Sequence, residues 1–174
     1  MHVYVDESKS KDYIVAAVMV QPGNAAALRK LMVSLLMPRQ GHIHFVNERA
    51  SRRKQILDSL ERIGARVRIY RCRGLNPILA RALCLSALLD DCARINATSL
   101  ILERDDSLFK TDEIFLRQGL YRRGLKATLE FRHVGKSEEP IVWIADAVAW
   151  SYARGDEYKR KALTLIESDT EVTG

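Results

Sequence analysis

The chain has 174 residues, of which 47% are hydrophobic and 29% are charged, and its net charge of +6 favours a polyanionic partner. This size suits one globular domain, and no apolar run reaches the roughly 18 residues of a membrane span, so neither a membrane partner nor a signal peptide is expected. The three cysteines lack a paired CxxC spacing, which argues against a zinc site or disulfide framework and favours a reducing, cytoplasmic compartment.

Strand-like and helix-like patterns alternate along the chain. Strands are predicted at 3–6, 12–20, 65–73, 98–103 and 127–133, with a short strand or extended piece at 41–46. Helices are predicted at 25–37, 51–63, 77–95, 111–123 and 141–154. This order predicts a single α/β domain over 1–174, with a mixed sheet flanked by helices on both faces. Its core spans about 1–155.

Two finer expectations concern the strand at 65–73 and the C-terminal residues. Charged and apolar residues alternate along 65–73, which indicates a strand with an exposed face or one at a sheet edge. Residues 156–174 are polar, so we expect a partly helical C-terminal tail outside the core.

Acidic side chains follow two of the predicted strands. Asp6 and Glu7 end the first strand, and Glu103 and Asp105 end the strand 98–103. If both strands are central and parallel, these acids meet at one rim of the sheet, where functional groups of such folds collect. Asp106 is expected to cap a turn.

The last helix offers a further carboxylate in apolar company. Asp146 lies in its second turn among Ala145, Ala147 and Ala149, whose small side chains allow close approach to the sheet. A buried carboxylate needs a partner or a metal. The alternative is that Asp146 is exposed or paired with an arginine. Oxygen ligands without cysteine suit Mg²⁺ or Mn²⁺, so Asp6, Glu103 and Asp146 are candidate metal and catalytic residues. Glu7 and Asp105 are auxiliary ligand candidates.

Histidine and basic residues complete the candidate set. His44 is a candidate general base or phosphate contact, with a half-buried strand histidine as the alternative. A basic cluster at the start of the second helix is a candidate nucleic-acid surface or simply a solvated helix start, and comprises Arg49, Arg52, Arg53 and Lys54. A second basic group comprises Arg117, Arg122, Arg123 and Lys126. Trp143 and Trp150 are expected in the core or at a homodimer interface.

Three stretches carry a family resemblance: HVYVDES at the start, ILERD at the later strand end and IADAVAW in the last helix. Together they resemble the family known as domain of unknown function 3800, which is placed in the ribonuclease H-like superfamily. The resemblance implies a ribonuclease H-like mixed sheet and a divalent-metal site of nuclease type. It matches Asp6 to the first-strand acid, Glu103 to the later-strand acid and Asp146 to the helix acid. Lys9 departs from it, because the family often has glycine there.

These observations lead to one functional prediction and two alternatives. The prediction is a Mg²⁺- or Mn²⁺-dependent nuclease that hydrolyses DNA or RNA with a metal-activated water. The first alternative is a non-catalytic nucleic-acid-binding or scaffold domain with a degenerate ribonuclease H-like site. The second is a phosphoryl-transfer enzyme that uses the same acids on a small substrate.

Overall fold

The computed structural model describes residues 1–10 and 12–174, and it confirms the predicted α/β architecture with a mixed sheet. Within these residues, six strands form one sheet in the order β5-β4-β1-β2-β3-β6. Their bounds are β1 His2–Lys9, β2 Tyr13–Val20, β3 Val67–Cys72, β4 Ser99–Glu103, β5 Glu130–Val134 and β6 Ile166–Glu171. Strand β2 runs antiparallel to both of its neighbours, and the pairings β1–β4, β4–β5 and β3–β6 are parallel.

The register of β1 and β4 sets the position of the candidate site. His2 pairs with Ser99 and Val5 with Leu102, in parallel. The next residues along both strands are acids, so the carboxyl ends of two central strands deliver them to the same rim. This confirms the geometric condition on which the predicted convergence depended.

In the described part of the chain, six α-helices cover the two faces of the sheet, with bounds α1 Ala25–Ser34, α2 Ala50–Ile63, α3 Pro77–Arg94, α4 Phe109–Arg122, α5 Val142–Arg154 and α6 Asp156–Leu163. Buried side chains of α1, α2, α5 and α6 form one core with the sheet, and those of α3 and α4 form a second core on the opposite face. No helix of the described residues is long and apolar enough to cross a membrane.

Helix α5 packs most closely on the centre of the sheet. Ala145, Ala147 and Ala149 are fully buried, because their methyl side chains let the helix backbone approach β1 and β2. Trp143 is also buried and donates its indole N–H to the carbonyl oxygen of Lys136 at 2.6 Å. The helix ends at Arg154, followed by Gly155 in a positive-φ conformation that favours glycine.

The C-terminal segment corrects two expectations. Residues 156–174 are not a tail outside the core, since they form α6 and the strand β6, which pairs in parallel with β3. Strand β3 is therefore interior and not at the sheet edge. The segment IESDTE gives no strand signal because acids are poor strand formers. Cross-strand ion pairs such as Arg71 with Asp169, at 2.9 Å, compensate for this composition.

The histidine segment also differs from the prediction. Residues 41–46 form no strand; a loop leads into a short 3₁₀ turn at Phe45–Asn47. Ile43 and Phe45 are buried against the core that contains α5, which pulls the loop across the end of the sheet. The loop is thus held by the burial of Ile43 and Phe45 and not by hydrogen bonds to a neighbouring strand. His44, which lies between them, is half-buried beside α5.

Candidate active site

Three acidic side chains from different elements lie on the same face of the sheet. Along β1 side chains alternate between faces, so Val5 joins the α3 core while Asp6 faces α5. Glu103 is the last residue of β4, and Asp146 lies in the second turn of α5. Asp6 and Asp146 are each 9% exposed, and Asp6 makes no ion pair with any described residue, which is unusual for a buried carboxylate.

These acids line one open cleft of about 590 Å³ at the carboxyl ends of β1 and β4. His44 and Trp150 also line it, together with three basic residues, Lys9, Arg104 and Lys136. Lys9 is paired with Asp105 and Arg104 with Asp106, whereas Lys136 makes no ion pair with any described residue. The cleft is therefore acidic overall, and a phosphate would be favoured there once a bound divalent cation offsets the carboxylates.

Burial and mutual repulsion raise the pKa values of two of the acids, Asp6 and Glu103. Burial is the largest cause that holds the pKa of Asp6 well above its ordinary value, and the charge of Glu103 is the next. Glu7 and Asp146 add to the rise. Burial and the charge of Asp146 also raise the pKa of Glu103, against the opposing effect of Lys136. An added cation among these groups would be stabilised by the same charges that now repel one another.

Asp146 already has partners through one of its oxygens. Its Oδ2 accepts the backbone N–H of Phe45 at 2.8 Å and lies 3.3 Å from His44 Nδ1. The hydrogen bond with Asp146 is the main cause that raises the pKa of His44. The cationic imidazole is thereby favoured, which suits a phosphate contact better than a general base.

The auxiliary ligand candidates point elsewhere. Glu7 is one of the residues that line the cleft, but its carboxylate pairs with Arg81 at 2.7 Å and with Lys9 at 3.3 Å. Asp105 lines the cleft, but its side chain is held by Lys9 and by the N–H of Ser107. The hydrogen bond from Lys9 is the main cause that lowers the pKa of Asp105. Both carboxylates are thus engaged with basic or N–H donors.

A buried ionic network beneath the site was not predicted from the sequence. Arg81 is 3% exposed and joins Glu7 to Asp112, which it contacts at 2.7 Å. It also donates to the Tyr13 hydroxyl at 3.0 Å. His133, a residue that the chain order places near the last helix, lies on this face 3.5 Å from Asp112 and away from the cleft. In the sequence, Arg81 indicates such a network, because it is an arginine in the middle of the apolar helix 77–94.

In the basic cluster, Arg53 is occupied by structural contacts. It donates to the carbonyl oxygen of Phe45 at 3.0 Å and to that of Val46 at 2.6 Å. Its guanidinium also lies 4.3 Å from the ring centroid of Trp150 and 5.8 Å from that of Tyr158, which packs edge-on against Trp150. Arg53 therefore holds the loop that carries His44 against α5.

The other members of the basic cluster differ in whether their charges are already paired with acids. Arg52 lies 3.5 Å from Glu48, and Lys54 pairs with Glu157 at 3.0 Å. Arg49 is exposed at the start of α2 and makes no ion pair with any described residue. The cluster therefore offers one free cation, with Lys54 as an exposed and partly neutralised second.

The donor atoms of the cleft match the chemistry of a hard divalent cation, which prefers carboxylate oxygens. Within the described part of the chain, Glu103 accepts no hydrogen bond, and Asp6 and Asp146 each keep one unbonded oxygen. As placed, no three His, Cys, Asp or Glu side chains of residues 1–10 and 12–174 form a group that could hold a metal ion. The carboxylate oxygens are therefore of the type that binds Mg²⁺ or Mn²⁺, but the described side chains are not gathered closely enough in this structure to form a metal site.

Comparison with known proteins adds no assignment to this geometry. The chain matches no protein-family model and no curated protein sequence. The resemblance carried by HVYVDES, ILERD and IADAVAW stays a prediction, and the function has to be argued from the site itself.

Proposed function

We propose that this protein is a Mg²⁺- or Mn²⁺-dependent nuclease of ribonuclease H-like type that hydrolyses phosphodiester bonds in DNA or RNA. The observation that carries the proposal is the meeting of Asp6, Glu103 and Asp146 in one cleft that Lys136 also lines. The sheet supports the fold assignment, because the resemblance implies a mixed sheet with the acids at strand ends.

A divalent ion would be held by Asp6, Glu103 and Asp146, and the chemistry it supplies is the activation of a water and the polarisation of the scissile phosphate. Glu103 has the freedom to complete such a set, since its carboxylate has no hydrogen-bond partner among the described residues. The backbone N–H of Phe45 orients Asp146 from behind, so the free Oδ1 is the oxygen that is available for binding.

Two cationic groups would serve the substrate. His44, whose pKa is raised by its hydrogen bond with Asp146, attracts a non-bridging phosphate oxygen or donates a proton to the leaving oxygen. Lys136, which also lines the cleft, adds a phosphate contact. Arg53, packed on Trp150, holds the loop that carries His44 through the carbonyl oxygens of Phe45 and Val46.

A second candidate is a non-catalytic nucleic-acid-binding or scaffold domain whose site has degenerated. The contacts of Asp146 favour it, because the Phe45 N–H and His44 satisfy one oxygen of this carboxylate without a metal. Such a protein binds nucleic acid with steep salt dependence and does not cleave it.

A cleavage assay separates the two candidates. Labelled single- and double-stranded DNA and RNA are incubated with Mg²⁺, Mn²⁺ or EDTA and with wild type, Asp6→Asn, Asp146→Asn or the control Glu61→Gln, which alters an exposed acid on α2. We expect chelator-sensitive cleavage by wild type and the control only. Equal activity in both Asn variants refutes the assignment. Salt-dependent binding of these nucleic acids by wild type, without cleavage and without Mn²⁺ binding by calorimetry, establishes the degenerate site.

A further inference from the structure

A groove between α4 and the edge strand β5 collects basic and aromatic side chains that the candidate active site does not use. It has a volume of about 710 Å³ and is lined by residues that include Arg117, Tyr121, Arg122, Lys126 and Phe131. Among its lining residues Glu130 is the single acid, against three basic residues. The groove is therefore positive and partly aromatic.

Several of these side chains are exposed and take part in neither core packing nor ion pairs among the described residues. Tyr121 is 75% exposed, an unusual position for an aromatic ring with nothing packed over it. Arg122 and Lys126 are exposed and make no ion pair with any residue of 1–10 or 12–174. Arg117 pairs with Glu113 at 2.8 Å and lies 5.4 Å from the centroid of Phe131. Unpaired cations beside a free ring are the features of a site for single-stranded nucleic acid.

We propose that this groove binds a segment of single-stranded DNA or RNA, with a base stacked on Tyr121 and phosphates paired with Arg122 and Lys126. Charge complementarity selects a polyanion as the occupant. The exposed ring selects one with unstacked bases, because the bases of a duplex stack on each other and leave Tyr121 without a partner.

The same helix connects the groove with the cleft. Arg104, which lines the cleft, stacks 4.5 Å from the centroid of Phe109 at the first residue of α4. From Phe109 to Tyr121 the helix rises about 18 Å, the length of about five stacked nucleotides. A strand held at Tyr121 can thus reach the cleft along α4. This last step rests on the proposed function, whereas binding in the groove does not.

Binding is tested by fluorescence anisotropy in EDTA at low salt, where no metal-dependent cleavage occurs. The probes are labelled oligothymidylate and oligouridylate of about twelve nucleotides, and a duplex of equal length serves as comparison. The variants are Tyr121→Ala, Tyr121→Phe and the double variant Arg122→Glu/Lys126→Glu. The matched control is Lys30→Glu/Arg160→Glu, which reverses two exposed charges on α1 and α6 and lowers the net charge from +6 by the same four units.

We expect Tyr121→Ala to raise the Kd for both single strands about ten-fold, while Tyr121→Phe keeps the wild-type Kd because the ring remains. The double variant should raise the Kd by at least about ten-fold and reduce the slope of log K against log salt by about 1.4. The control should change the Kd much less. Since Tyr121 is exposed, its truncation removes no core contact, and thermal melting verifies the fold of each variant.

An unchanged Kd in Tyr121→Ala overturns the proposal, and so does an equal loss of affinity in the control and groove double variants. Duplex binding as tight as single-strand binding and indifferent to Tyr121 also overturns it. Groove-dependent binding by a wild type that never cleaves supports the groove and removes the nuclease. Cleavage by a wild type whose binding does not depend on the groove supports the nuclease and removes the groove. The failures of the two proposals are therefore distinguishable.

Discussion

Replacing Asp6 by asparagine is expected to stabilise the metal-free protein, although it should abolish the proposed activity. Asp6 is 9% exposed and shares its cleft with the carboxylates of Glu103 and Asp146. Asparagine keeps an Oδ1 acceptor for the backbone N–H of Glu7, which now binds Asp6 at 2.8 Å. The substitution therefore removes the repelled charge and preserves the local hydrogen bond.

The size of the effect follows from Coulomb's law. Two like charges about 6 Å apart repel by about 3 kcal/mol at an effective dielectric constant of about 20. Protonation of part of the acids and solvent in the open cleft reduce this repulsion, so we expect the free energy of unfolding to rise by about 1–2 kcal/mol. For a domain of this length, that corresponds to an increase in Tm of about 2–8 °C.

The pH dependence provides a second, independent signature. The pKa of Asp6 is raised above its ordinary value of 3.8 by burial first and by the charge of Glu103 next. The unfolded chain therefore releases this proton at lower pH than the folded protein does, and stability falls as the pH rises from about 4 toward the folded pKa. The advantage of Asp6→Asn should be small near pH 4 and largest at neutral pH.

Thermal melts and urea unfolding in EDTA measure this difference, with Glu61→Gln as the control for loss of one acid on the surface. Added Mn²⁺ should then raise the Tm of wild type and leave that of Asp6→Asn almost unchanged, because only wild type retains the full ligand set. A lower Tm for Asp6→Asn in EDTA would show that the carboxylate is stabilising, and it would refute the argument from repulsion.

Three further changes test other parts of the structure. Arg81→Met should lower the free energy of unfolding by about 3 kcal/mol in urea titrations, because Glu7 and the buried Asp112 lose their shared arginine and keep the more distant Lys9 and His133; a loss below about 1 kcal/mol contradicts the network. Gly119→Ala should lower the free energy of unfolding by about 1–3 kcal/mol despite the better helix propensity of alanine, since the new Cβ would lie 2.5 Å from Cδ1 of the buried Leu89. A higher Tm for this variant would show that the Leu89 side chain moves aside without cost. For His44, whose pKa is raised mainly by the hydrogen bond to Asp146, the stability difference from His44→Gln should shrink as pH rises above about 6.5, and a growing difference contradicts the pairing.

The parts of the site that were predicted from the sequence are those set by strand direction and helix period. Asp6 and Glu103 follow apolar strands, and parallel pairing then fixes a common rim. Asp146 was placed by its small neighbours, since alanines at close spacing leave a helix free to approach the sheet. In each case one local pattern determined the position of the residue.

The parts that were missed depend on contacts between distant segments. Lys136 reaches the cleft because the segment after β5 crosses the rim, and nothing near it in the sequence indicates this. Strand β6 is stabilised by ion pairs with β3, which is 98 residues away along the chain at Arg71 and Asp169. Arg53 belongs to a basic run, yet its guanidinium binds carbonyl oxygens of a loop that no local pattern connects to α2.

The contacts of Asp146 determine which substitution gives an interpretable result at this position. One of its oxygens holds the Phe45 N–H, so Asp146→Ala removes both the carboxylate and the anchor of the loop that carries His44. Lost activity in that variant therefore has two explanations. Asparagine retains an acceptor for the N–H and loses only the negative charge. Activity lost in Asp146→Asn, with the Tm retained, thus isolates the charge and supports a role in binding a cation, whereas loss confined to Asp146→Ala assigns the residue to the loop alone.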